Sequence, residues 1–103
     1  MRTTITARHQ TIPEDLKARA VTVVARLARR AGRPTSAHVT FDTSRVMASA
    51  EIVLNAARNA VFVASAAARD PRTALDRVAA KLQRQLMKRA RRPRRGGRKA
   101  VGR

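Results

Sequence analysis

The spacing of apolar residues along the chain predicts alternating strand and helix segments. Residues 2–7 have an alternating pattern and are rich in β-branched side chains, which is typical of a short strand. Apolar residues then recur at steps of three and four, which predicts a helix with one buried face: Leu16, Ala20, Val23, Val24, Leu27 and Ala28. We expect this helix to end near Gly32, because glycine suits a C-cap and Pro34 prevents continuation.

Alternation of apolar and polar residues predicts three further strands, in residues 37–43, 47–56 and 61–68. Their expected inward residues are Val39, Phe41, Ala48, Ala50, Ile52, Leu54, Phe62, Ala64, Ala66 and Ala68. The alanines of the last segment are poor strand formers, so a single helix over residues 52–68 is the competing interpretation. We favour two strands, because Arg58-Asn59 is typical of a turn and the alternation continues on both sides of it.

Helix-start signals precede both predicted helices. Thr11 and Glu14 have the T-x-x-E spacing of a capping box. Asp70 is the expected N-cap of the second helix, and Pro71 its first residue. Asp76 is expected to complement the dipole at the N-terminus of this helix. The buried face of the second helix is predicted to contain Leu75, Val78, Ala79, Leu82 and Leu86.

These elements predict an α+β fold with the order β-α-β-β-β-α. A sheet with alternating faces needs one covered side, so we expect a two-layer sandwich with two helices on one face of a four-stranded sheet. The chain of 103 residues is long enough for one domain, which we expect in residues 1–92. Residues 93–103 lack apolar periodicity, and we expect them to form a basic tail that is disordered without a partner.

The charge of the chain indicates a polyanionic partner. It has 24 Lys and Arg against 6 Asp and Glu, a formal net charge of +18 at pH 7. Two lines of cations recur at helical spacing: Arg77, Lys81, Arg84, Lys88 and Arg91 in the second helix, and Arg19, Arg26, Arg30 and Arg33 in and after the first. Such a line alone fits a solvated face equally well. Here it continues into a basic tail with no acidic residue after Asp76, which favours nucleic acid. Phe41 and Phe62 are the only aromatic residues, so recognition of phosphate and shape is expected rather than base stacking.

The same composition offers little to catalysis. The chain has no Cys, its two His and six acidic residues show no metal-ligand spacing, and neither a nucleophile elbow nor a P-loop motif is present. We therefore predict that the protein is not an enzyme and uses no cofactor, metal or small-molecule substrate. No segment has the length of a membrane span or the apolar core of a secretory signal, which predicts a cytoplasmic protein with no membrane partner.

Four short segments occur in an order that resembles a known protein family. They are ITARH at 5–9, T-x-x-E-x-L from Thr11, SAHV at 36–39, and D-x-x-x-A-L-D from Asp70 followed by K-L-x-R-Q-L-x-K from Lys81. In this order they resemble the short ribosome hibernation factors, that is, ribosome-associated inhibitor A and the hibernation promoting factors. The resemblance covers about residues 3–90. Ala7 stands where that family usually has Gly, and Arg72 where it usually has Tyr. The resemblance therefore does not predict the tight exit from the first strand or the packing contact of that Tyr.

The resemblance implies binding to the small ribosomal subunit and its rRNA, in the channel between head and body. There the domain would exclude mRNA and tRNA and hold off translation under stress or in stationary phase. His9, beside Arg8, is a weaker candidate for an RNA contact than Arg8 itself. From the resemblance and the basic lines together, the residues expected to bind RNA are Arg8, Arg26, Arg30, Arg77, Lys81, Arg84, Lys88, Arg89, Arg91 and Arg92. The alternative function is that of a structural RNA-binding protein, either a ribosomal protein or a double-stranded-RNA-binding module. A nucleoid-type DNA binder is disfavoured because no helix-turn-helix or β-arm pattern is present.

Overall fold

Two helices cover one face of a four-stranded mixed sheet in the computed structural model of the chain, which describes residues 1–9 and 11–91, with side chains as far as Lys88. In chain order the elements are β1 (Arg2–Arg8), α1 (Glu14–Ala28), a 3-10 turn (Arg29–Ala31), β2 (Pro34–Thr43), β3 (Ala48–Ala56), β4 (Ala60–Ala68) and α2 (Pro71–Arg91). The α+β fold and its element order are therefore confirmed. The predicted tail, residues 93–103, lies outside the described residues.

The sheet has the strand order β1-β2-β3-β4, so β1 and β4 form its two edges. β1 and β2 are parallel, and α1 supplies the crossover that a parallel pair requires. β2 pairs with β3, and β3 with β4, in antiparallel hairpins. Because β1 and β2 run in the same direction, Arg8 lies opposite Asp42 at one end of the sheet.

Alternate residues of β2, β3 and β4 point towards the helices and form one core with them. The strands contribute Ala37, Val39, Phe41, Ala50, Ile52, Leu54, Ala56, Phe62, Ala64 and Ala68, and the helices contribute Leu16, Ala20, Val24, Leu27, Ala28, Ala74, Leu75, Val78, Leu82 and Leu86. The segment at 52–68 forms two strands, since Ile52 pairs with Ala64 across the β3–β4 hairpin. Arg58 and Asn59, with φ of 65° and 59°, reverse the chain there, as the sequence predicted.

The predicted capping box at the start of α1 is wrong. The helix begins at Glu14, the N-cap is Pro13, and no side chain caps the first turn. The carbonyl of Pro13 accepts the N–H groups of Leu16 and Lys17, each at 3.1 Å. Ile12, which is 1 % exposed, packs in the core and fixes the entry of the chain there. Thr11 therefore lies two residues before the cap, out of the position from which it could close a box.

Asp70 is the N-cap of α2, as predicted. Its Oδ1 accepts the backbone N–H of Thr73 at 2.8 Å, and its Oδ2 accepts the Thr73 hydroxyl at 2.9 Å. These bonds satisfy a donor that the first turn leaves without a partner in the helix. The hydrogen bond from the Thr73 backbone N–H, followed by that from its hydroxyl, lowers the pKa of Asp70 below its ordinary value of 3.8.

Asp70→Ala is expected to lower the melting temperature at pH 7, and Asp70→Asn to lower it less, because an amide oxygen accepts the same backbone N–H. Since the pKa of Asp70 is lower in the folded chain, its charged form contributes stability above 3.8, and this contribution is lost as pH falls below that value. The difference between the native chain and Asp70→Asn should therefore shrink at pH 2. Thermal unfolding followed by circular dichroism measures both effects, and equal melting of all three chains at pH 7 contradicts the capping role.

Candidate nucleic-acid interface

The charge of the domain is segregated between its two faces. We call α1, the 3-10 turn and α2 the helical layer, and the sheet face opposite it the open face. In the helical layer, α2 has seven cations and one acid, and residues 14–31 have five cations and two acids. On the open face, Arg2 and Arg8 are balanced by Asp42 and Glu51. The excess positive charge therefore lies on the helical side, where a polyanion would be attracted.

Arg84 and Lys88 are the predicted cations of α2 that remain directed to solvent. Both are exposed and lie four residues apart, hence on one face of the helix. Neither makes a hydrogen bond or ion pair with another residue in the described part of the chain. With Lys81, Gln85 and Met87 they line a shallow surface depression. The opposite side of α2, with Leu82 and Leu86, is anchored in the core, so the positions of these two cations along the helix are fixed.

Arg77 and Lys81, from the same predicted line, reach instead to the edge strand β4. Arg77 Nη1 donates to the carbonyl of Ala67 at 2.9 Å, and Lys81 Nζ donates to that of Ser65 at 2.9 Å. Both side chains are nevertheless exposed. An arginine has five N–H donors and a lysine three, so each retains donors for a phosphate. The line thus divides into two cations at the sheet edge and two directed to solvent.

The basic line of α1 is also divided by the structure. Arg26 and Arg30 are exposed, whereas Arg19 forms an ion pair with Asp76 of α2. Its Nε and Nη2 donate to Asp76 Oδ1 at 3.2 and 2.9 Å. Asp76 therefore links the two helices. The expectation that it serves the helix dipole is wrong, because Asp76 lies beyond the first turn, where the dipole effect has faded.

Arg8 and His9 adjoin a carboxylate at the end of the sheet. The sequence predicted a strand that ends at residue 7, with Arg8 in the following loop. In the structure Arg8 is the last residue of β1. His9 has φ of 64°, and its Nδ1 donates to Asp42 Oδ1 at 2.8 Å. This bond is the largest cause that lowers the pKa of Asp42, and the Thr43 backbone N–H and the charge of Arg8 add to it. The carboxylate offsets the charge of Arg8, which makes Arg8 a weaker phosphate ligand than Arg84.

Two departures from the hibernation-factor pattern are accommodated. Ala7 lies within β1, and the left-handed backbone at the strand exit falls on His9 rather than on Ala7. A glycine is therefore not required at position 7. Arg72 is exposed in the first turn of α2, so its long side chain meets no steric obstacle in the core.

The remaining predicted RNA contacts are only partly described. Arg89 and Arg91 belong to α2, but their side chains lie outside the described part of the structure, as does all of Arg92. Both aromatic residues, Phe41 and Phe62, are buried in the core and offer no stacking surface. Among residues 1–9 and 11–91, no three His, Asp or Glu side chains are grouped to hold a metal ion. No helix in this same part of the chain is long and apolar enough to cross a membrane.

The fold and its charge define a class of protein: a small α+β domain with a one-sided cationic helical layer. The chain belongs to the Sigma 54 modulation protein / S30EA ribosomal protein family, whose profile matches residues 3–94. It is thus a member of a family of ribosome-associated proteins, which confirms the resemblance to the hibernation factors. Among curated protein sequences, none matches the chain significantly.

Several solved structures share this fold, among them two that cover most of this chain. A ribosomal subunit interface protein from Coxiella burnetii matches with a TM-score of 0.79 at 18% sequence identity, covering 89% of this chain and 100% of that one. The N-terminal domain of Protein Y from Thermus thermophilus matches with a TM-score of 0.72 at 21% identity, covering 82% of this chain and 93% of that one. At such identities the likeness establishes the fold, and the binding residues must be argued from this chain.

Proposed function

We propose that this protein binds the small ribosomal subunit, occupies the channel used by mRNA and tRNA, and so inhibits translation during stress or stationary phase. Family membership supports the ribosome as the partner. The place of action would be the cytoplasm, where translating ribosomes are found. The proposed activity is occlusion, which needs no catalysis and no cofactor.

The observation that carries this proposal is the one-sided charge of the domain. The cations of the helical layer are held by two helices whose apolar faces form the core, so they keep their spacing before any partner arrives. A rigid array loses less side-chain and backbone freedom on binding than a flexible one. Folded rRNA presents phosphates at fixed positions, and a preformed array of Arg26, Arg30, Arg84 and Lys88 is suited to such a target.

The absence of exposed aromatic residues in the described part of the chain supports recognition of structured RNA rather than base-specific recognition of single-stranded RNA. Single-stranded RNA is usually read by stacking its bases on aromatic side chains, and double-stranded RNA by its shape, 2′-hydroxyls and phosphates. The open face, with its small hydroxyl side chains and balanced charge, would then point away from the rRNA. This orientation leaves α1 and α2 as the contact surface.

Binding to separated ribosomal subunits tests the proposal. The chain should co-sediment with small subunits rather than large ones, inhibit translation of a reporter mRNA, and be displaced by excess mRNA and tRNA. Arg84→Gln/Lys88→Gln should weaken co-sedimentation and inhibition, while the matched control Arg2→Gln/Arg58→Gln, which removes two exposed cations outside the helical layer, should not. Equal association with both subunits, or binding that mRNA and tRNA leave unchanged, contradicts channel occupancy.

The salt dependence of small-subunit binding measures how many phosphates are contacted. With six to eight contacts, log K should fall with log salt at a slope of about −4 to −7. A slope near zero means that the helical layer is not the interface.

The alternative function is tested by the growth phase in which the protein associates with ribosomes. Association at one copy per ribosome in growing cells, rather than on growth arrest, would identify a structural ribosomal protein.

A further inference from the structure

The edge strand β4 has the sequence of a strand that could pair with another chain. Its nine residues, Ala60–Ala68, contain no charged residue and no proline. Sheets usually protect an open edge with charges, prolines, bulges or a short strand, because unpaired backbone groups invite a second strand. β4 has no such protection within its own sequence.

Three side chains of α2 protect this edge instead, and we call them the edge caps: Arg77, Lys81 and Gln85. They donate to the carbonyls of Ala67, Ser65 and Val63, at 2.9, 2.9 and 2.7 Å. The match is geometric, because four helical residues rise about 6 Å while two strand residues advance about 6.6 Å. Successive turns of α2 therefore place one donor beside each successive outward carbonyl of β4. All three caps are exposed.

The open face beside this edge has an apolar strip. Val61 and Val63 of β4 are 54% and 46% exposed, and Val63 lies directly opposite Val53 of β3. If two copies paired antiparallel along β4, the two strips would adjoin on one eight-stranded sheet. The two-fold axis of such a pair is perpendicular to the sheet, so both helical layers would lie on the same side. The dimer would present one wider cationic surface.

We propose that β4 is a self-association surface for a second copy of this chain, closed by the edge caps and opened when phosphates draw Arg77 and Lys81 away. The opening step rests on the proposed function, since RNA supplies the phosphates. A cation binds a phosphate through charge-assisted, often bidentate hydrogen bonds, which are stronger than single bonds to a neutral carbonyl. Phosphates would also neutralise Arg77 and Lys81 of the two copies, which meet across the seam and otherwise repel each other.

The surface itself is tested without RNA. Arg77→Met/Lys81→Met/Gln85→Met keeps the apolar stems of all three caps and removes their donors and charges. In 1 M salt, where charge repulsion is screened within about 3 Å, sedimentation equilibrium should show a dimer for this variant and a monomer for the native chain. Adding Ser65→Pro should restore the monomer: the Ser65 N–H points outward with its carbonyl, so proline removes a donor that β3 does not use. Val63→Lys, a charge on the same edge, should do likewise.

The opening step is tested with a double-stranded RNA long enough for two copies. The native chain should bind it cooperatively, with the second copy favoured about tenfold or more, and Ser65→Pro should bind without cooperativity. A monomeric Met variant, or a dimer that Ser65→Pro and Val63→Lys do not disrupt, overturns the surface. Equal cooperativity of the native chain and Ser65→Pro overturns the opening by phosphate. If neither chain binds this RNA, opening by phosphate is overturned, while the experiment without RNA still decides whether β4 self-associates and binding to small subunits still decides the proposed function. Circular dichroism confirms the fold of each variant.

Discussion

Leu82→Ala should lower the free energy of unfolding by about 2–5 kcal/mol, which is a large part of the total stability of a domain of this size. Leu82 is fully buried on α2, where it belongs to the core that holds the helix against the sheet. For a domain of this length, the loss corresponds to a decrease in melting temperature on the order of 10–30 °C.

The composition of the core explains why one leucine should matter so much. Many core residues are alanines, which bury little surface each: Ala20, Ala28, Ala37, Ala48, Ala50, Ala56, Ala64, Ala68 and Ala74. The larger side chains therefore supply most of the buried apolar area, and few neighbours are large enough to fill a cavity. Leu82 holds α2 against the sheet and so fixes the positions of Arg84 and Lys88 on that helix. Loss of Leu82 should therefore also weaken RNA binding.

Chemical denaturation of Leu82→Ala beside Met87→Ala provides the measurement. Met87 lies on the same helix but is 38% exposed, and alanine has the higher helix propensity, so Met87→Ala should change stability little. If the two variants unfold at the same denaturant concentration, α2 is not anchored by Leu82 as the structure indicates.

Apolar periodicity was sufficient to predict the fold, because one face of the sheet and one face of each helix are buried. The strands at 48–56 and 60–68 alternate although they are rich in alanine, and their pairing confirms that periodicity outweighs the poor strand propensity of that residue. The boundaries were less accurate. β2 begins at Pro34, three residues before the predicted start, because Pro34 pairs with Ala56 across an irregularity near Ser36.

The candidate interface was predicted less completely. Helical spacing located the cations of α2 but could not show that Arg77 and Lys81 contact β4, because their acceptors are backbone carbonyls, which have no sequence signature. The ion pair of Arg19 with Asp76 spans 57 positions of the chain. With 24 cations and six acids, the sequence alone does not specify which of the cations pairs with a given carboxylate. The packing of α1 beside α2 determines that Arg19 pairs with Asp76.

The second large effect should come from the cations of α2. Replacing Arg77, Lys81, Arg84 and Lys88 with Gln should lower the affinity for small subunits by a factor on the order of hundreds, if each contact contributes about 1 kcal/mol. The salt slope should become shallower by about 3, since each lost phosphate contact removes 0.7 to 0.9 from it. Glutamine retains helix propensity, and at positions 77 and 81 it keeps an amide donor like that of Gln85 for the β4 carbonyls.

The matched control replaces four cations of the predicted tail, Arg94, Arg95, Arg98 and Lys99, and so removes the same charge. The sequence predicts that this tail is disordered without a partner, so its contacts must offset the loss of conformational freedom on binding. The tail variant should therefore lose much less affinity and less inhibition of translation than the α2 variant. Filter binding and in-vitro translation at matched salt compare the two, after circular dichroism has confirmed that both fold. Equal losses would show that net charge, rather than the array held by α2, determines binding.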